Sequence, residues 1–351
     1  MTLRLAIVGA GGIGAQHAEA ALALPRDWTV AHVCDLRDDL SGPLAVRCGI
    51  AQGTDLPSVL ADPHVDVVDI CLPPALHVPV TLQALAAGKH VICEKPLAGS
   101  LADVARLRAA ADAAGRHLFP VFQYRYGRAL RRVARMQALG LLGAPRVATL
   151  ETHWSRDATY YAVPWRGTLL HELGGAVLGH AIHVHDLLTL LLGPVAEVSA
   201  MTATLVNPIE TEDCAAIALR MANGALVTSS ITLGAAGDQS RLRMVFEHAT
   251  VESGRVPYAP GQADWTVTAR DPARQADLDA VTVPDDLDGF AGYFADVARA
   301  LNGAPNSAVT LDDGAASIAL VTAIYRAQRT GERVTLPLTP GSLLHDGWAL
   351  A

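Results

Sequence analysis

The stretch AIVGAGGIGAQH, residues 6–17, decides the fold of this chain. An apolar run is followed by glycines in the spacing G-x-G-x-x-G. Gly9 permits a tight turn, Gly11 lets the backbone approach a pyrophosphate, and Gly14 lets the next helix pack closely on the strand. The pattern predicts a strand, a turn and a helix whose N-terminal amides face phosphate. The predicted phosphate-binding residues are Gly9, Gly11, Gly12, Ile13 and Gly14.

An acidic residue ends the next predicted strand at a matching distance. Asp35 lies 21 residues after Gly14, where a carboxylate is expected to accept hydrogen bonds from the adenosine ribose and to repel a 2′-phosphate. The sequence therefore favours NAD over NADP as the cofactor. Arg37 keeps NADP open, because arginine can pair with a phosphate, although Asp38 and Asp39 lower the local attraction for one.

Residues 3–120 alternate short apolar runs with amphipathic segments. The runs have the lengths of buried strands, and they are LRLAIVGA, TVAHVCD, HVDVVDICLPP, KHVICEKP and RHLFPVF. One of the helices between them is predicted to have Ser100 as its N-cap and Asp103 three residues later. This alternation is typical of a parallel, doubly wound Rossmann sheet.

The pattern changes after residue 122. Long period-2 stretches follow, and Asn223-Gly224 and Ser253-Gly254 are hairpin signals. They predict an α+β domain with a large, mostly antiparallel open sheet that is covered on one face. We expect an α/β protein with a dinucleotide-binding domain at 1–122 and a substrate-binding and oligomerisation domain at 123–351. The open face could pair with another copy, which predicts a homodimer or homotetramer.

The bulk composition disfavours several classes of partner. The net charge is −8, without a basic block, so nucleic acid is not an expected partner. The five cysteines form no Cys-x-x-Cys pair, which is typical of free thiols in a reducing compartment. No stretch reaches the roughly 20 uninterrupted apolar residues of a membrane span. We therefore expect a cytoplasmic protein without a membrane partner.

Five stretches carry a more specific signal: GAGGIGAQH, DICLPPALHVPVTLQALAAGKHVICEKPLA, QYRY, ELGGAVLGHAIHVHDLLTLLLGP and EDCAAIALRMANGALVTSSIT. Together they resemble the Gfo/Idh/MocA oxidoreductases, and the resemblance spans nearly the whole chain. It implies NAD(P)-linked redox chemistry on a small polyhydroxylated substrate such as a sugar or cyclitol.

The EKP element, residues 94–96, is the most telling part of the resemblance. By the family match, Lys95 lies beside nicotinamide and substrate and is a catalytic candidate. An ammonium at the carboxyl end of a strand would stabilise the alkoxide character that develops as hydride leaves carbon. Glu94 would orient Lys95 or face other polar groups. Pro73 and His77 follow another strand end on the cofactor side, with helix capping as the alternative role of His77.

A second candidate group lies in GGAVLGHAIHVHDLL, a predicted helix. The family has an aspartate, a histidine four residues later and another aspartate three residues after that, which correspond here to Gly179, His183 and Asp186. His183 lacks the acidic partner but is the leading general base, because histidine titrates near pH 7. His180, one turn away, could contact a substrate hydroxyl, relay a proton or be structural. His185 and Asp186 are expected to be structural.

Aromatic and polar residues that follow two strands are predicted to bind substrate. QYRYGR should enter the cleft between the domains, and WSRDATYYAVPWRGTLLHE has the aromatic faces and hydrogen-bonding groups that bind sugars. The substrate-side candidates are Tyr124, Arg125, Tyr161, Trp165, Arg166 and His180. The second loop could equally be an interface between subunits, and the two arginines also allow a substrate carboxylate.

Three functions are compatible with these residues. The leading prediction is an NAD(P)-dependent dehydrogenase that acts on a secondary alcohol or ketone of a sugar, cyclitol or sugar derivative. An NAD-dependent glycoside hydrolase that uses transient oxidation and elimination is the alternative, because the family acid is missing at Gly179. A nucleotide-sensing protein would need neither Lys95 nor His183. A metal on His180, His183 and Asp186 is disfavoured, because no further ligand cluster is evident, so no metal is predicted.

Overall fold

The computed structural model describes residues 1–50 and 53–348. The chain forms two compact units, one made of Met1–Gln123 and Phe290–Ala315, the other of Tyr124–Gly289 and Ala316–Ala351. The end of the predicted second domain, residues 349–351, lies outside the described residues.

The first unit has a five-stranded parallel sheet with the strand order β2-β1-β3-β4-β5. Its strands are β1 (Leu3–Val8), β2 (Trp28–Cys34), β3 (Val67–Ile70), β4 (His90–Cys93) and β5 (Leu118–Pro120). Its first helices are α1 (Gly12–Leu22), α2 (Asp38–Arg47), α3 (Leu56–Ala61), α4 (His77–Ala86) and α5 (Leu101–Ala114). The predicted doubly wound sheet is confirmed. The strand order reverses between β1 and β3, and ligands bind at the carboxyl ends of strands beside such a reversal.

The second unit has an eight-stranded sheet with the order β12-β11-β10-β6-β9-β8-β7-β13. Its strands are β6 (Pro145–Ser155), β7 (Val195–Ala203), β8 (Cys214–Met221), β9 (Leu226–Thr232), β10 (Gly234–Phe246), β11 (Ala249–Glu252), β12 (Thr266–Ala269) and β13 (Val334–Thr335). The remaining helices are α6 (Arg128–Ala138), α7 (Ala158–Tyr161), α8 (Leu169–Glu172), α9 (Ile182–Leu192), α10 (Gln275–Asp279), α11 (Gly289–Leu301) and α12 (Leu311–Thr330). The sheet is mostly antiparallel, as predicted, and β6 pairs with β9 in parallel. Buried and exposed residues alternate along β8 and β9, so one face is covered.

Local signals in the sequence had mixed outcomes. The Ser100 side chain accepts the Asp103 N–H at 3.0 Å and caps α5, as predicted. Asn223-Gly224 lies between the paired strands β8 and β9, also as predicted. Ser253-Gly254 begins the connection between β11 and β12, which pair antiparallel, but this connection extends to Trp265 and is not a tight turn. A tight turn connects β10 to β11. The period-2 alternation of the sequence continues through this turn, so the pattern does not indicate it.

A late segment returns to the first unit. Trp28 Nε1 donates a hydrogen bond to the Phe294 carbonyl at 3.1 Å, and Tyr293 Oη donates to the Phe119 carbonyl at 3.0 Å. Tyr293 and Phe294 are both fully buried. The division at 122/123 had assigned this helix, α11, to the second domain, because an amphipathic pattern does not indicate which sheet covers its apolar face.

One helical run has the length and apolar composition of a membrane span. It is Leu169–Leu192, and its most apolar 18-residue window has a mean hydropathy of 1.4, with 83% of that window buried inside the protein. The sequence analysis had not identified it, because polar residues such as His180 and Asp186 interrupt it. Its apolar composition is accounted for by burial in the core of the second unit.

Candidate active site

The glycine turn joins β1 to α1 in the first unit. Gly9 has a φ of +102°, and a Cβ there would lie 2.4 Å from the Cys71 carbonyl oxygen. A Cβ at Gly14 would lie 1.9 Å from the Gly9 oxygen, so the helix and the strand can approach only through glycine. Apart from the neighbouring backbone, no atom of the residues that the structure describes lies within 4 Å of a Cβ built at Gly11 or Gly12. The turn thus fits the pyrophosphate of a dinucleotide, with open space at the N-terminus of α1.

Asp35, just after β2, lies against this turn. One carboxylate oxygen accepts the Ala10 N–H at 2.7 Å, and the other accepts the Arg37 N–H at 2.9 Å. These bonds hold the carboxylate where the ribose of a dinucleotide would need an acceptor. The Arg37 guanidinium pairs with Asp39, so its charge is balanced locally.

Pro73 and His77 lie in the segment after β3. His77 is buried, with Nδ1 2.6 Å from the Pro96 oxygen and Nε2 2.7 Å from the Leu72 oxygen. Both ring nitrogens therefore contact backbone carbonyls. His77 thus connects the loop after β3 to the loop after β4.

Lys95 follows β4 and is half-buried, and the Glu94 carboxylate accepts its backbone N–H at 3.0 Å. Lys89 is the only other lysine in the chain. It is buried, and its Nζ donates to two backbone carbonyls. All other Lys/Arg side chains of the chain are arginines, and lysine differs from arginine in its compact ammonium. A count of lysines would have singled out position 95 from the sequence.

A buried cluster lies beside Glu94. His17 Nδ1 is 3.0 and 2.9 Å from the two oxygens of Asp69, and its Nε2 is 3.2 Å from Glu94 Oε1. Both ring nitrogens face carboxylates, so both carry hydrogen and the ring is an imidazolium. Burial by itself lowers the pKa of His17, but the charge of Asp69 opposes this and the pKa lies well above its usual value.

Part of this cluster has the spacing of a metal site. One ligand atom from each of His17, Asp69 and Cys71 lies within 4.8 Å of the others. A metal would need a thiolate and an unprotonated imidazole nitrogen. Burial raises the pKa of the Cys71 thiol to about 12, and the His17 nitrogens already contact carboxylates. The geometry favours a hydrogen-bonded cluster over a metal centre.

The predicted histidine helix of the second unit contains a π-helical turn. Val177–Ala181 is π-helical, and α9 continues from Ile182. Such turns are frequently found at functional sites, and this one includes Gly179 and His180. A pattern with a period of 3.6 residues does not reveal it.

His183 is buried beside Tyr124 in this unit. The two rings are stacked, with centroids 4.3 Å apart and an interplanar angle of 23°. Tyr124 is itself buried, and its hydroxyl donates to the Pro257 carbonyl at 3.3 Å. Tyr124, expected on the substrate side, thus supports the ring of His183.

Arg125 makes an internal ion pair. Its Nε and Nη2 donate to the two oxygens of Asp186 at 2.8 and 2.6 Å. This bidentate contact uses the fork that a substrate carboxylate would need, which corrects the expectation that Arg125 binds such a group.

His185 lies 3.0 Å from Ser229 Oγ through Nε2, and burial lowers its pKa to about 4. Asp186 and His185 therefore both make internal contacts.

The aromatic loop gathers around Tyr160. The Tyr160 hydroxyl lies 3.2 Å from His180 Nε2. The Tyr161 ring packs edge-on against the Tyr160 ring, with the two centroids 5.0 Å apart. The guanidinium carbon of Arg166 lies 3.8 Å from the Tyr160 centroid and 4.7 Å from that of Trp165. The structure thus brings His180, Tyr161, Trp165 and Arg166 together around Tyr160.

Two arginines flank the Tyr160 ring and differ in their pairing. Arg156, 5.0 Å from the centroid, pairs with Asp238 at 3.1 Å. Arg166 forms no ion pair within residues 1–50 and 53–348, and its buried Nε has no hydrogen-bond partner there. The positive charge of Arg166 is therefore not balanced by a direct contact with an acidic residue of the described chain.

Glu172 is a candidate that the sequence analysis missed. The atom nearest to a Cβ built at Gly179 is Glu172 Oε1, at 3.8 Å. Glu172 is buried, and its Oε2 accepts the Gly167 N–H at 2.6 Å. A carboxylate from α8 thus lies beside the position that corresponds to the family aspartate. The sequence contains one hint of this arrangement, because the acidic residue of ELGG is Glu172, seven positions before Gly179.

Two family models match the chain. Residues 3–122 match the oxidoreductase family with an NAD-binding Rossmann fold, and residues 130–252 match the GFO/IDH/MocA C-terminal domain. The chain belongs to the GFO/IDH/MocA oxidoreductase family.

Several members of this family are similar over most of the chain. The WlbA dehydrogenase of Bordetella pertussis, solved in complex with NADH and UDP-GlcNAcA, is 31% identical with a TM-score of 0.86, over 97% of this chain and 100% of that one. Myo-inositol 2-dehydrogenase of Thermotoga maritima is 30% identical over 64% of this chain and 66% of that enzyme. Levoglucosan dehydrogenase of Pseudarthrobacter phenanthrenivorans is 26% identical over 75% and 78%.

Membership of the family confirms the α/β fold, the NAD-binding Rossmann domain and the oxidoreductase class. The relatives described above are dehydrogenases. They favour the dehydrogenase prediction over the glycoside hydrolase alternative.

The position of Glu172 can be tested by placing a second carboxylate at 179. Gly179→Asp should lower the free energy of unfolding at about pH 8 by about 2–4 kcal/mol relative to Gly179→Asn, because two carboxylates would lie a few ångströms apart at an effective dielectric constant of about 20. The difference should shrink toward about pH 4, where carboxylates protonate. Urea denaturation measures both. The double variant Glu172→Gln/Gly179→Asp should remove the difference, and equal stability of the Asp and Asn variants at high pH would contradict this placement.

Proposed function

We propose that the protein is an NAD-dependent dehydrogenase that interconverts a secondary alcohol and a ketone on a sugar, cyclitol or related compound. The observation that carries the proposal is the arrangement of the first unit, where a glycine turn that fits a pyrophosphate is combined with Lys95 at the end of β4. Relatives named as myo-inositol and levoglucosan dehydrogenases support the substrate class.

The proposal gives each part of the chain a separate task. The first unit binds the dinucleotide, and the second unit binds the substrate and mediates oligomerisation. NAD is preferred over NADP, because the Asp35 carboxylate is fixed beside the turn and the Arg37 charge is paired with Asp39. A free arginine would be needed to attract a 2′-phosphate.

The reaction assigns a charge and a proton to two side chains. A dinucleotide held at the glycine turn of Gly9, Gly11 and Gly14 would supply the acceptor for the hydride of the carbinol carbon. The Lys95 ammonium stabilises the negative charge that develops on the substrate oxygen. His183 takes the hydroxyl proton as general base, so the C–H and O–H bonds break and the C=O bond forms. Stacking on Tyr124 limits the orientation of the His183 ring.

His180 is assigned to the substrate side in this mechanism. Its Nε2 contacts the Tyr160 hydroxyl, and Glu172 lies beside the preceding residue, Gly179. A hydroxyl, an imidazole and a carboxylate in one cluster can bind substrate hydroxyls and pass a proton onward.

Arg166 extends the proposal to substrates that bear a carboxylate. Arginine recognises carboxylates through paired N–H donors, and Arg125 is already engaged with Asp186. Arg166, stacked on Tyr160 and Trp165, is the arginine of the predicted pair that keeps this capacity.

We further propose that the enzyme is cytoplasmic, forms a homodimer or homotetramer through the outer face of the large sheet, and has neither nucleic-acid nor membrane partners. The net charge of −8 and the free cysteines support the compartment and the absence of a nucleic-acid partner. The exposed alternate residues of β8 and β9 support the assembly surface.

Replacement of the two proposed catalytic groups should abolish turnover without abolishing cofactor binding. Lys95→Met and His183→Asn are each expected to lower kcat by about 100-fold or more, the range for positioned acid–base and electrostatic groups. The Kd for NADH, from fluorescence titration, should change by less than about threefold. His64→Asn, at an exposed position, is the matched control and should leave kcat unchanged. Near-normal kcat in both test variants would contradict the assignment.

A comparison of charged and neutral substrates tests Arg166. Arg166→Met should lower kcat/KM for a uronate by about 10- to 100-fold, equivalent to one charge-assisted hydrogen bond, and change kcat/KM for the matching neutral sugar by less than about threefold. Steady-state rates with methyl glucuronide and methyl glucoside, and with their nucleotide-linked counterparts, measure this. Equal losses for the charged and neutral members would show that Arg166 does not read a carboxylate.

A further inference from the structure

The buried cluster of His17, Asp69 and Glu94 lies next to Lys95, but the proposed chemistry does not use it. His17 comes from α1, Asp69 from β3, and Glu94 directly follows β4. All three are buried, His17 and Asp69 completely. Buried charges persist where partners satisfy them, and here one imidazolium is shared by two carboxylates.

Glu94 connects this cluster to Lys95. Its Oε1 lies 3.2 Å from His17 Nε2, while its Oε2 accepts the Lys95 N–H at 3.0 Å. A carboxylate that is held at both oxygens has one orientation. The position of the His17 ring therefore fixes the peptide group from which the Lys95 side chain departs.

The His17 ring is enclosed on every side. The groups that face it are Asp69, Cys71, Glu94, Phe290 and Phe294. The two phenylalanine rings lie 4.7 and 5.4 Å from the imidazole, measured between centroids. The phenylalanine rings are uncharged, so the charged groups that face His17 in the described part of the chain are the carboxylates of Asp69 and Glu94. The positive charge of His17 offsets one of these two carboxylate charges near Lys95.

We propose that His17 is a positioning residue of the dehydrogenase, which acts through Glu94 to set both the direction and the electrostatic surroundings of the Lys95 ammonium. This inference rests on the proposed function, in which Lys95 meets the substrate oxygen. His17 itself touches neither substrate nor reacting atoms in this scheme.

The test compares His17→Gln, Glu94→Gln and the double variant. Steady-state kinetics with NAD and a panel of polyols give kcat and the KM for NAD. A second readout does not require turnover: reductive methylation with ¹³C-formaldehyde labels the lysines and keeps their charge. Because the chain has two lysines, NMR follows the titration of Lys95 separately, with the buried Lys89 as internal reference.

The two single variants should agree in kinetics and differ in titration. Each should lower kcat by about 10- to 100-fold, the cost of a misplaced catalytic group, and change the KM for NAD by less than about threefold. His17→Gln should shift the Lys95 titration to higher pH, because the carboxylates lose their positive partner, and Glu94→Gln should shift it to lower pH. The double variant should lose no more kcat than the worse single variant.

Losses of kcat that multiply in the double variant would overturn the proposal, as would His17→Gln with unchanged kcat and unchanged Lys95 titration. If His17→Gln does not fold, Glu94→Gln serves as the test, because it leaves His17 paired with Asp69. An unchanged kcat and an unchanged Lys95 titration in Glu94→Gln would then overturn the proposal. If the wild-type protein does not reduce NAD with any of the polyols tested, the proposed function is refuted. The Lys95 titration would still test His17 in that case.

Discussion

The close approach of α1 to β1 is the constraint on which the first unit depends. A side chain at Gly14 would collide with the Gly9 oxygen, and one at Gly9 would collide with the Cys71 carbonyl. Overpacking of this kind displaces backbone. Because α1 can pack closely on β1, its N-terminus lies at the glycine turn and His17 reaches the carboxylates near the ends of β3 and β4. The open N-terminus of α1 and the buried cluster beside Lys95 thus both depend on one packing contact.

In the second unit, a buried acid lies beside position 179, where this chain has glycine instead of an acidic residue. The π-helical turn carries Gly179 and His180, and the carboxylate beside it comes from Glu172 on α8. The ion pair of Arg125 with Asp186 and the stack of Tyr124 on His183 surround the same helix with internal contacts. Within the aromatic loop, Tyr160 contacts His180 of the helix through its hydroxyl and Arg166 of the loop through its ring.

Much of the fold could be predicted, because local patterns determine it. Buried parallel strands appear as uninterrupted apolar runs, and the Ser100 cap and the Asn223-Gly224 turn have short-range causes. Tertiary choices were not predictable. The return of α11 to the first unit depends on contacts of Tyr293 and Phe294 with distant strands.

The candidate site shows the same division. The glycine turn and Asp35 have a fixed spacing in sequence, whereas the pairing of Arg125 with Asp186 and the role of His77 depend on partners that sequence spacing does not reveal. Glu172 lies beside Gly179 through space while being seven positions away in the chain, and His17 meets Glu94 from a different element. Chemistry that is assembled across elements therefore needs coordinates.

The most direct test of the central claim follows the hydrogen atom itself. The protein would be incubated with NAD and polyols that carry deuterium at their carbinol carbons, and the cofactor would be recovered for NMR and mass spectrometry. We expect NADH with deuterium at C4 of the nicotinamide, in an amount equal to the ketone formed. Cleavage of a glycosidic bond with no accumulation of NADH, or reduction of NAD without deuterium in the product, would contradict it.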